Sequence, residues 1–507
     1  MLCCHPVITE LEAGTVKVLL IHPEYPTTFW SFKHVLRFIS KKAAFPPLGL
    51  LTVASLLPKD WDLRLVDLNV EKFKDQDIEW ADCIMISAML IQEKSVQAIL
   101  GICRRMNKKV IAGGPLFNSK PEAYMQLVDH LILNEAELTL PPFLDDLKNG
   151  TPQKLYGSDD FPCLTATPVP RWDLIKIKKY AALMIQCSRG CPFDCEFCDI
   201  TALFGRTPRV KSAEQLISEI EVLYNLGWRD RIFIVDDNFI GNKRKIKDIL
   251  PHLIEWMRAH RYPFIFMTEA SINLADDDEL IELMVEAGFD TVFIGLETPN
   301  QESLRECEKS QNCSRDMVVS IQRLQESGLQ VLGGYIVGFD NDDEGIFSRQ
   351  IQFIQESGVV TAMVGLLNAL PNTRLWHRLN EDNRLLLNTS GDNTDGTINF
   401  IPRMDIKKLT EGYRRIVRTI YSPRHIYQRV SRFLERYHPR RKRRLHLYEL
   451  KAFARSLFYL GILGNGLSQW YFWKMLLKSI IYYRQSFSEA VTLMIYCHHF
   501  RKVARKV

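Results

Sequence analysis

The chain has 507 residues, more than one ordinary hydrophobic core takes, so two or three domains are expected. Hydrophobic residues make up 46% and charged residues 25%, which excludes a wholly disordered or collagen-like chain. The 65 basic and 60 acidic residues leave a net charge of +5, too balanced to point to nucleic acid, and 12 cysteines are too sparse for a disulfide scaffold.

The opening residues, MLCCHPVITELEAG, lack a basic stretch followed by an apolar one, so no secretory signal is expected. No apolar run reaches the ~18 residues of a spanning helix, and the chain reads as cytoplasmic. Residues 1–150 alternate apolar runs with helical stretches, the pattern of a parallel α/β, Rossmann-like doubly wound domain. Strands are expected at 16–21, 63–66, 83–87, 109–112 and 130–133, with helices at 49–57 and 94–105 among them. Such a sheet binds ligands beyond the carboxyl ends of its strands. Those ends carry His22, Ser87 to Met89, Gly113 to Pro115, and Asn134 to Glu137.

Residues 151–175 read as a linker, because Pro162, Pro168 and Pro170 forbid a continuous helix. From 176 to 392 the alternation resumes, with strands expected at 183–186, 232–235, 264–268, 292–296, 331–337 and 362–366. Six such units make a partial β/α barrel, whose site gathers at the carboxyl ends of the strands. Polar clusters stand at each of those ends: 187–198, 236–238, Glu269, Glu297, 338–340 and 368–373. Residues 393–507 form a mainly helical, basic and aromatic domain, with Arg440-Arg441-Lys442-Arg443-Arg444 near its middle.

The loop after the first barrel strand reads QCSRGCPFDCEFCD and spaces Cys191, Cys195 and Cys198 as C-x3-C-x2-C. Three thiolates so close suit a single iron–sulfur cubane, leaving its fourth iron open to a substrate or cofactor. Zinc would want a fourth protein ligand, and inert thiols are the remaining alternative. Cys187, four residues earlier, would close the open iron and is taken as a buried thiol.

This loop, with Phe197 before its third cysteine, resembles the signature of radical S-adenosylmethionine enzymes. The stretches KKAAFPPLGLLTVASLLP, VDDNFIGNK, TEASINLADD, FIGLETP, IVGFD and AMVGLL resemble a narrower group within them. That group carries a cobalamin-binding domain and an extra C-terminal domain, and includes hopanoid methyltransferases. The resemblance implies a [4Fe–4S] cluster, S-adenosylmethionine, cobalamin and an electron donor such as flavodoxin or ferredoxin. It also implies methyl transfer to an unactivated carbon of a small molecule or an apolar isoprenoid lipid. A non-methylating rearrangement or cyclisation and a non-catalytic sensor are the alternatives. Phe197, Asp237, Asn238, Glu269, Glu297, Gly333 and Gly334 become the S-adenosylmethionine candidates, with Glu297 preferred for the ribose. Ser87, Met89, Gly113, Gly114, Pro115 and Glu135 become the cobalamin candidates. The D-x-H-x-x-G motif is absent around His22, so no histidine is expected below cobalt. No catalytic side chain is assigned, because the cofactors carry the chemistry.

The C-terminal stretches 457–463 and 470–483 are apolar and aromatic, with Lys474, Lys478 and Arg484 interspersed. One expectation is a helical cap packed on the barrel; the other is peripheral contact with the inner face of the membrane, aided by the basic run. Nucleic acid is not expected as a partner.

Overall fold

The computed structural model describes residues 15–386, 389–392, 394–441 and 447–506. Cys3 and Cys4, and Lys442, Arg443 and Arg444 of the basic run, lie outside the described residues. Two compact units are present: Met1–Pro26 with Phe45–Lys179, and Thr27–Ala44 with Tyr180–Val507.

The first unit is a six-stranded, all-parallel sheet built from β1 (Lys17–His22), β2 (Asp62–Asp67), β3 (Cys83–Ser87), β4 (Lys109–Gly113), β5 (His130–Ile132) and β6 (Leu155–Tyr156). Their order is β2-β1-β3-β4-β5-β6, which reverses direction between β1 and β3 and opens a crevice at that switch point. The strands read as continuous apolar runs because helices cover both faces. Leu19, Ile21, Ile84 and Ile86 meet Val96, Ile99 and Cys103 of helix Glu93–Arg105 in one core.

The second unit holds a six-stranded parallel sheet in strict chain order, the arrangement of an open β/α barrel. Its strands are β7 (Leu183–Ile185), then, beyond a short antiparallel ribbon of β8 (Ser188–Arg189) and β9 (Arg209–Val210), β10 (Arg231–Ile234), β11 (Ile265–Glu269), β12 (Phe289–Glu297), β13 (Gln330–Val337) and β14 (Ala362–Leu366). The connecting helices carry ordinary start and stop signals. Ser212 caps Ala213–Asn225 by accepting from the Gln215 N–H, and Leu216, Ile220 and Leu223 form its buried stripe. Helix Asp278–Ala287 is capped by Asp277 and ends at Gly288.

Three boundaries differ from the expected ones. The stretch 151–175 is not a free linker: β6 lies within it and pairs with β5, and the first unit runs on to Lys179. The unsatisfied backbone of a sheet edge recruits this short strand despite the surrounding prolines. Residues Thr27–Ala44 leave the first unit and join the second, where Phe29 stacks on Phe500 at 5.2 Å and Trp30 meets Phe293 at 5.0 Å. Third, the C-terminal helices share one compact unit with the barrel. In helix Ile406–Ile420 the Tyr413 hydroxyl donates to the Val364 carbonyl of β14, and Gly412 lies against the Phe347 ring.

Helix Leu467–Tyr482 buries Phe472, Met475 and Leu476 on one side and exposes apolar residues on the other. Arg440 and Arg441 both bond to carbonyls: the exposed Arg440 donates to that of Ser327, while the half-buried Arg441 donates to that of Glu286 and lies 3.3 Å over the Tyr262 ring. Cations suit these sites because each carbonyl lies at the end of a helix. Among the described residues no helix is long and apolar enough to cross a membrane.

Candidate active site

The cysteine loop springs from the end of β7 and is closed at its base by the β8–β9 ribbon. Gly190 takes φ +92°, and a side chain there would meet the Gly205 and Phe204 carbonyls at 2.9 and 3.0 Å. Only glycine makes that turn without strain. Beneath the loop Asp236 accepts from the Cys187 N–H at 2.7 Å and the Ser188 hydroxyl at 2.6 Å. Asp237 accepts from the Gly190 N–H at 3.2 Å. The two carboxylates after β10 therefore hold the root of the loop. Burial pushes Asp236 up to about 6 and Asp237 up to about 7.

Cys187 is fully buried, whereas Cys191 and Cys198 are only partly covered. The Asn238 amide donates to the Cys191 sulfur and the Gln311 amide to the Cys195 sulfur, each at 3.8 Å. Burial holds the Cys191 and Cys198 thiols above their usual value, a cost that metal coordination removes by deprotonating them outright. Among the described residues no three His, Cys, Asp or Glu side chains converge on a single-ion position. Zinc thus lacks a preformed site. A cubane needs no such convergence, since each thiolate ligates a different iron. Three thiols with amide donors aimed at two sulfurs fit that group.

The parallel register places other candidates on one face of the sheet. Glu269 pairs with Phe293, Gly295 with Gly334, and Gly334 with Met363, so their side-chain positions point the same way. The Glu269 carbonyl accepts from the Phe239 N–H at 2.9 Å, but its side-chain carboxyl makes no hydrogen bond among the described residues. Burial first, then Asp237 and Asp236, pushes its carboxyl up to about 8. Glu297 follows a bulge in β12 and takes φ +59°, which folds its carboxylate back over Gly295 toward Lys309 at 2.7 Å. Burial is the largest influence on the Lys309 ammonium and works against it, but Glu297, Cys195 and Cys198 together hold the ammonium above its ordinary value.

The other candidates have these surroundings. Asn238 is buried, with its amide on Ser271 at 3.2 Å as well as on the Cys191 sulfur, so it braces the loop. Gly333 and Gly334 relieve crowding: side chains there would meet the Tyr335 ring at 2.8 Å and Phe293 at 2.9 Å. Phe197 packs on Phe339 at 6.3 Å, under Lys309 at 5.9 Å. The cluster 338–340 serves docking, because Asp340 accepts from Arg378 and Arg384. Thr373 caps helix Arg374–Glu381. Sequence reasoning missed this helix's part in the site: Arg378 grips Glu196 through a two-pronged ion pair, and Arg374 donates to the Asp194 carbonyl at 2.6 Å. It also missed Lys309 and Gln311, whose only signal would have been polar residues in an otherwise ordinary loop after β12.

In the first unit, Gly114 takes φ +91°, and a side chain there would meet the Ser87 hydroxyl at 2.7 Å, so backbone passes closely between β3 and β4. Met89 is exposed and accepts from the Tyr25 hydroxyl at 3.5 Å. Pro115 opens the short helix Pro115–Ser119, and Gly113 ends β4 beside Ile132 of β5. Glu135 is buried just before helix Ala136–Lys148. His22 is buried; burial holds its imidazole below its ordinary value, outweighing Asp67 and a hydrogen bond to the Ser87 backbone, which both act to raise it.

A partial barrel with a three-cysteine loop at its first strand end defines a radical S-adenosylmethionine enzyme, and residues 185–347 match the Radical SAM superfamily. Residues 373–507 match a domain of unknown function, DUF4070. The chain is 39% identical to an uncharacterized methyltransferase of Synechocystis sp., over 97% of this chain and 93% of that one. It is 32% identical to the hopanoid C-2 methylase of Rhodopseudomonas palustris, over 98% of this chain and 95% of that one. Its fold is like that of the cobalamin-dependent S-adenosylmethionine radical enzyme OxsB solved with aqua-cobalamin bound, with a TM-score of 0.63 and 17% identity over 97% of this chain and 80% of that one. The chain belongs to the family of radical S-adenosylmethionine methyltransferases that these two relatives represent. It is an enzyme that uses a [4Fe–4S] cluster and S-adenosylmethionine, and the sensor alternative falls away.

Proposed function

We propose that this protein is a cobalamin-dependent methyltransferase that adds a methyl group to an unactivated carbon of an apolar polycyclic lipid of the hopanoid kind. The observation that carries the reading is a loop that brings together Cys191, Cys195 and Cys198, with Cys191 and Cys198 partly accessible and amide donors on the Cys191 and Cys195 sulfurs, while Cys187 is tied back at the loop's root. A three-ligand cluster leaves one iron for the amino and carboxylate groups of S-adenosylmethionine. When bound, these groups supply a 5′-deoxyadenosyl radical, and cobalamin supplies a transferable methyl group.

In this reading Cys191, Cys195 and Cys198 hold the cluster, while Asn238 and Gln311 donate to its sulfurs. Glu269, unpaired on the sheet face, is positioned to accept from the methionine ammonium or the ribose hydroxyls. The second Glu297 oxygen remains available beside Lys309 for the ribose. In the first unit the crevice at β1, β3 and β4 takes cobalamin, with Ser87, Gly113 and Gly114 as its floor and Met89 at its rim. The close approach at Gly114 supports this, since a side chain there would fill the gap. His22 is turned to the Ser87 backbone, which supports the expectation that cobalt takes no histidine from this chain. The reductant is a flavodoxin or ferredoxin of the cytoplasm.

The test is anaerobic reconstitution followed by turnover with methyl-labelled S-adenosylmethionine, a strong reductant and a detergent-solubilised hopanoid. The expected products are 5′-deoxyadenosine, S-adenosylhomocysteine and a labelled lipid. Release of 5′-deoxyadenosine with an unlabelled, rearranged lipid would establish the non-methylating alternative instead. Cysteine variants separate the ligands: alanine at 191, 195 or 198 should abolish iron loading, and alanine at 187 should not.

A further inference from the structure

The C-terminal helices enclose a cavity of about 310 Å³ whose lining divides by chemistry. Ile426, Leu460, Phe472 and Met494 form an apolar wall. Arg37, Arg501, Lys502 and Arg505 form a cationic one, and no Asp or Glu lines the cavity. None of these four cations makes an ion pair with a carboxylate among the described residues. Arg37 instead meets the His498 ring at 3.2 Å. Burial, then Lys502 and Arg37, drives that ring down to about 3, so the histidine stays neutral and acts as a hydrogen-bonding partner. Burial also holds Arg501 and Lys502 below their usual values, with neighbouring arginines adding to it. Positive charge is thus concentrated with no carboxylate paired to it among the described residues, a state that an anion relieves.

A second observation fixes the kind of anion. Tyr459 and Leu463 line the cavity and are themselves exposed, so its mouth runs into an apolar surface. That surface continues along helix Leu467–Tyr482, where Leu467 is 68% exposed, Trp470 53%, Leu477 58% and Ile481 62%. With Trp473, 39% exposed, these residues recur every three or four positions and form one outward stripe. Lys474 lies over the Trp470 ring at 4.8 Å, at the border of the stripe. A contiguous exposed apolar stripe is unusual on a free surface. The helix is about 24 Å long at 1.5 Å per residue, too short to span a bilayer and suited to lying in its interface.

We propose that this face docks on an anionic bilayer, with the phosphate-bearing headgroup of one anionic lipid entering the cavity between Arg37 and the Arg501–Lys502–Arg505 cluster while helix Leu467–Tyr482 lies at the headgroup boundary. A free phosphate would need the cations but not the stripe; an apolar partner protein would need the stripe but not the cations. A lipid uses both. The proposal deepens the functional reading above, on which it rests only for its purpose: delivering the enzyme to a substrate dissolved in the membrane.

The experiment is flotation of the full-length protein with phosphatidylcholine vesicles, with and without phosphatidylglycerol, at low and high salt. Tryptophan emission is recorded in parallel. Binding is expected only with the anionic lipid, weakening with salt and shifting the emission to the blue. The triple variant R501A/K502A/R505A should lower partition by roughly a hundredfold. The variant W470S/I481S, a purely surface change, should also lose binding, and circular dichroism confirms that each variant is folded. No flotation with anionic vesicles overturns the proposal, as does binding that ignores phosphatidylglycerol or the triple variant. A thermal shift by inorganic phosphate without flotation would assign the cavity to a free anion and equally overturn it. Methyl transfer to detergent-solubilised lipid is measured separately on the wild-type protein. Turnover without flotation rejects docking alone, whereas flotation without turnover rejects the enzymatic reading alone.

Discussion

Glu297 occupies a conformation that a non-glycine residue adopts only when its surroundings require it, and the requirement here is Lys309. Both groups are buried, so neither tolerates loss of the other. The variant K309M should destabilise the protein by about 3–5 kcal/mol in urea unfolding, and E297Q/K309M should regain most of that. Glu269 gives a pH signature in the cofactor-free protein. Its folded value of about 8 lies above the ordinary ~4.3, so the folded state binds the extra proton between them. The stabilisation is complete below ~4.3 and is lost as pH rises through about 8. The urea midpoint should therefore fall across that window in the wild type, and E269Q should flatten the fall.

At the scale of elements, the helix Arg374–Glu381 acts as a clamp on the cluster loop. Arg378 bonds Glu196 within the loop and Asp340 after β13, joining two strand ends through one guanidinium. A planar two-pronged donor is needed for this, which a lysine does not supply. The variant R378A should lower stability by about 1–3 kcal/mol, because it strands the covered Glu196 carboxylate, whereas Asp340 keeps its bonds from Arg384. More specifically, it should shorten the lifetime of a reconstituted cluster under a chelator, followed by visible absorbance. R378K should recover the stability in part and the cluster lifetime less. The DUF4070 match begins at Thr373, the cap of this same helix, so the C-terminal region enters the site at its first turn.

In the molecule as a whole, the chain does not divide into consecutive blocks. Residues Thr27–Ala44 cross into the second unit, where Phe29 forms a triangle of rings with Phe500 and Tyr421 and Phe38 joins a core with Phe472, Leu476 and Val491. The variant F29A should cost about 3–5 kcal/mol, since the ring is almost fully buried. A fragment starting at Tyr180 lacks this strap altogether. It should bind a hydrophobic dye and aggregate, although it contains every barrel strand and every C-terminal helix. A fragment that stays monomeric and dye-free would show that the strap is dispensable.

The sequence by itself determined the two parallel sheets and the cysteine loop. Continuous apolar strands and capped amphipathic helices are encoded locally, and the loop signature needs only close spacing. All five expected strands of the first sheet and all six of the barrel are present, with ends moved by a few residues. Short strands such as β6, β8 and β9 were not legible, because two-residue strands form only where a partner edge is waiting. Which polar strand ends would face a cofactor was also decided by tertiary structure. Asp237, Glu269 and Glu297 look alike in sequence, yet one ties down a loop, one stands unpaired and one binds a lysine twelve residues away. Charge pairing and burial depend on what the rest of the chain brings alongside. The same holds at the C-terminus: the conspicuous arginines at 440 and 441 each bond a carbonyl at a helix end, while the scattered Arg37, Arg501, Lys502 and Arg505 are gathered into one cavity by folding.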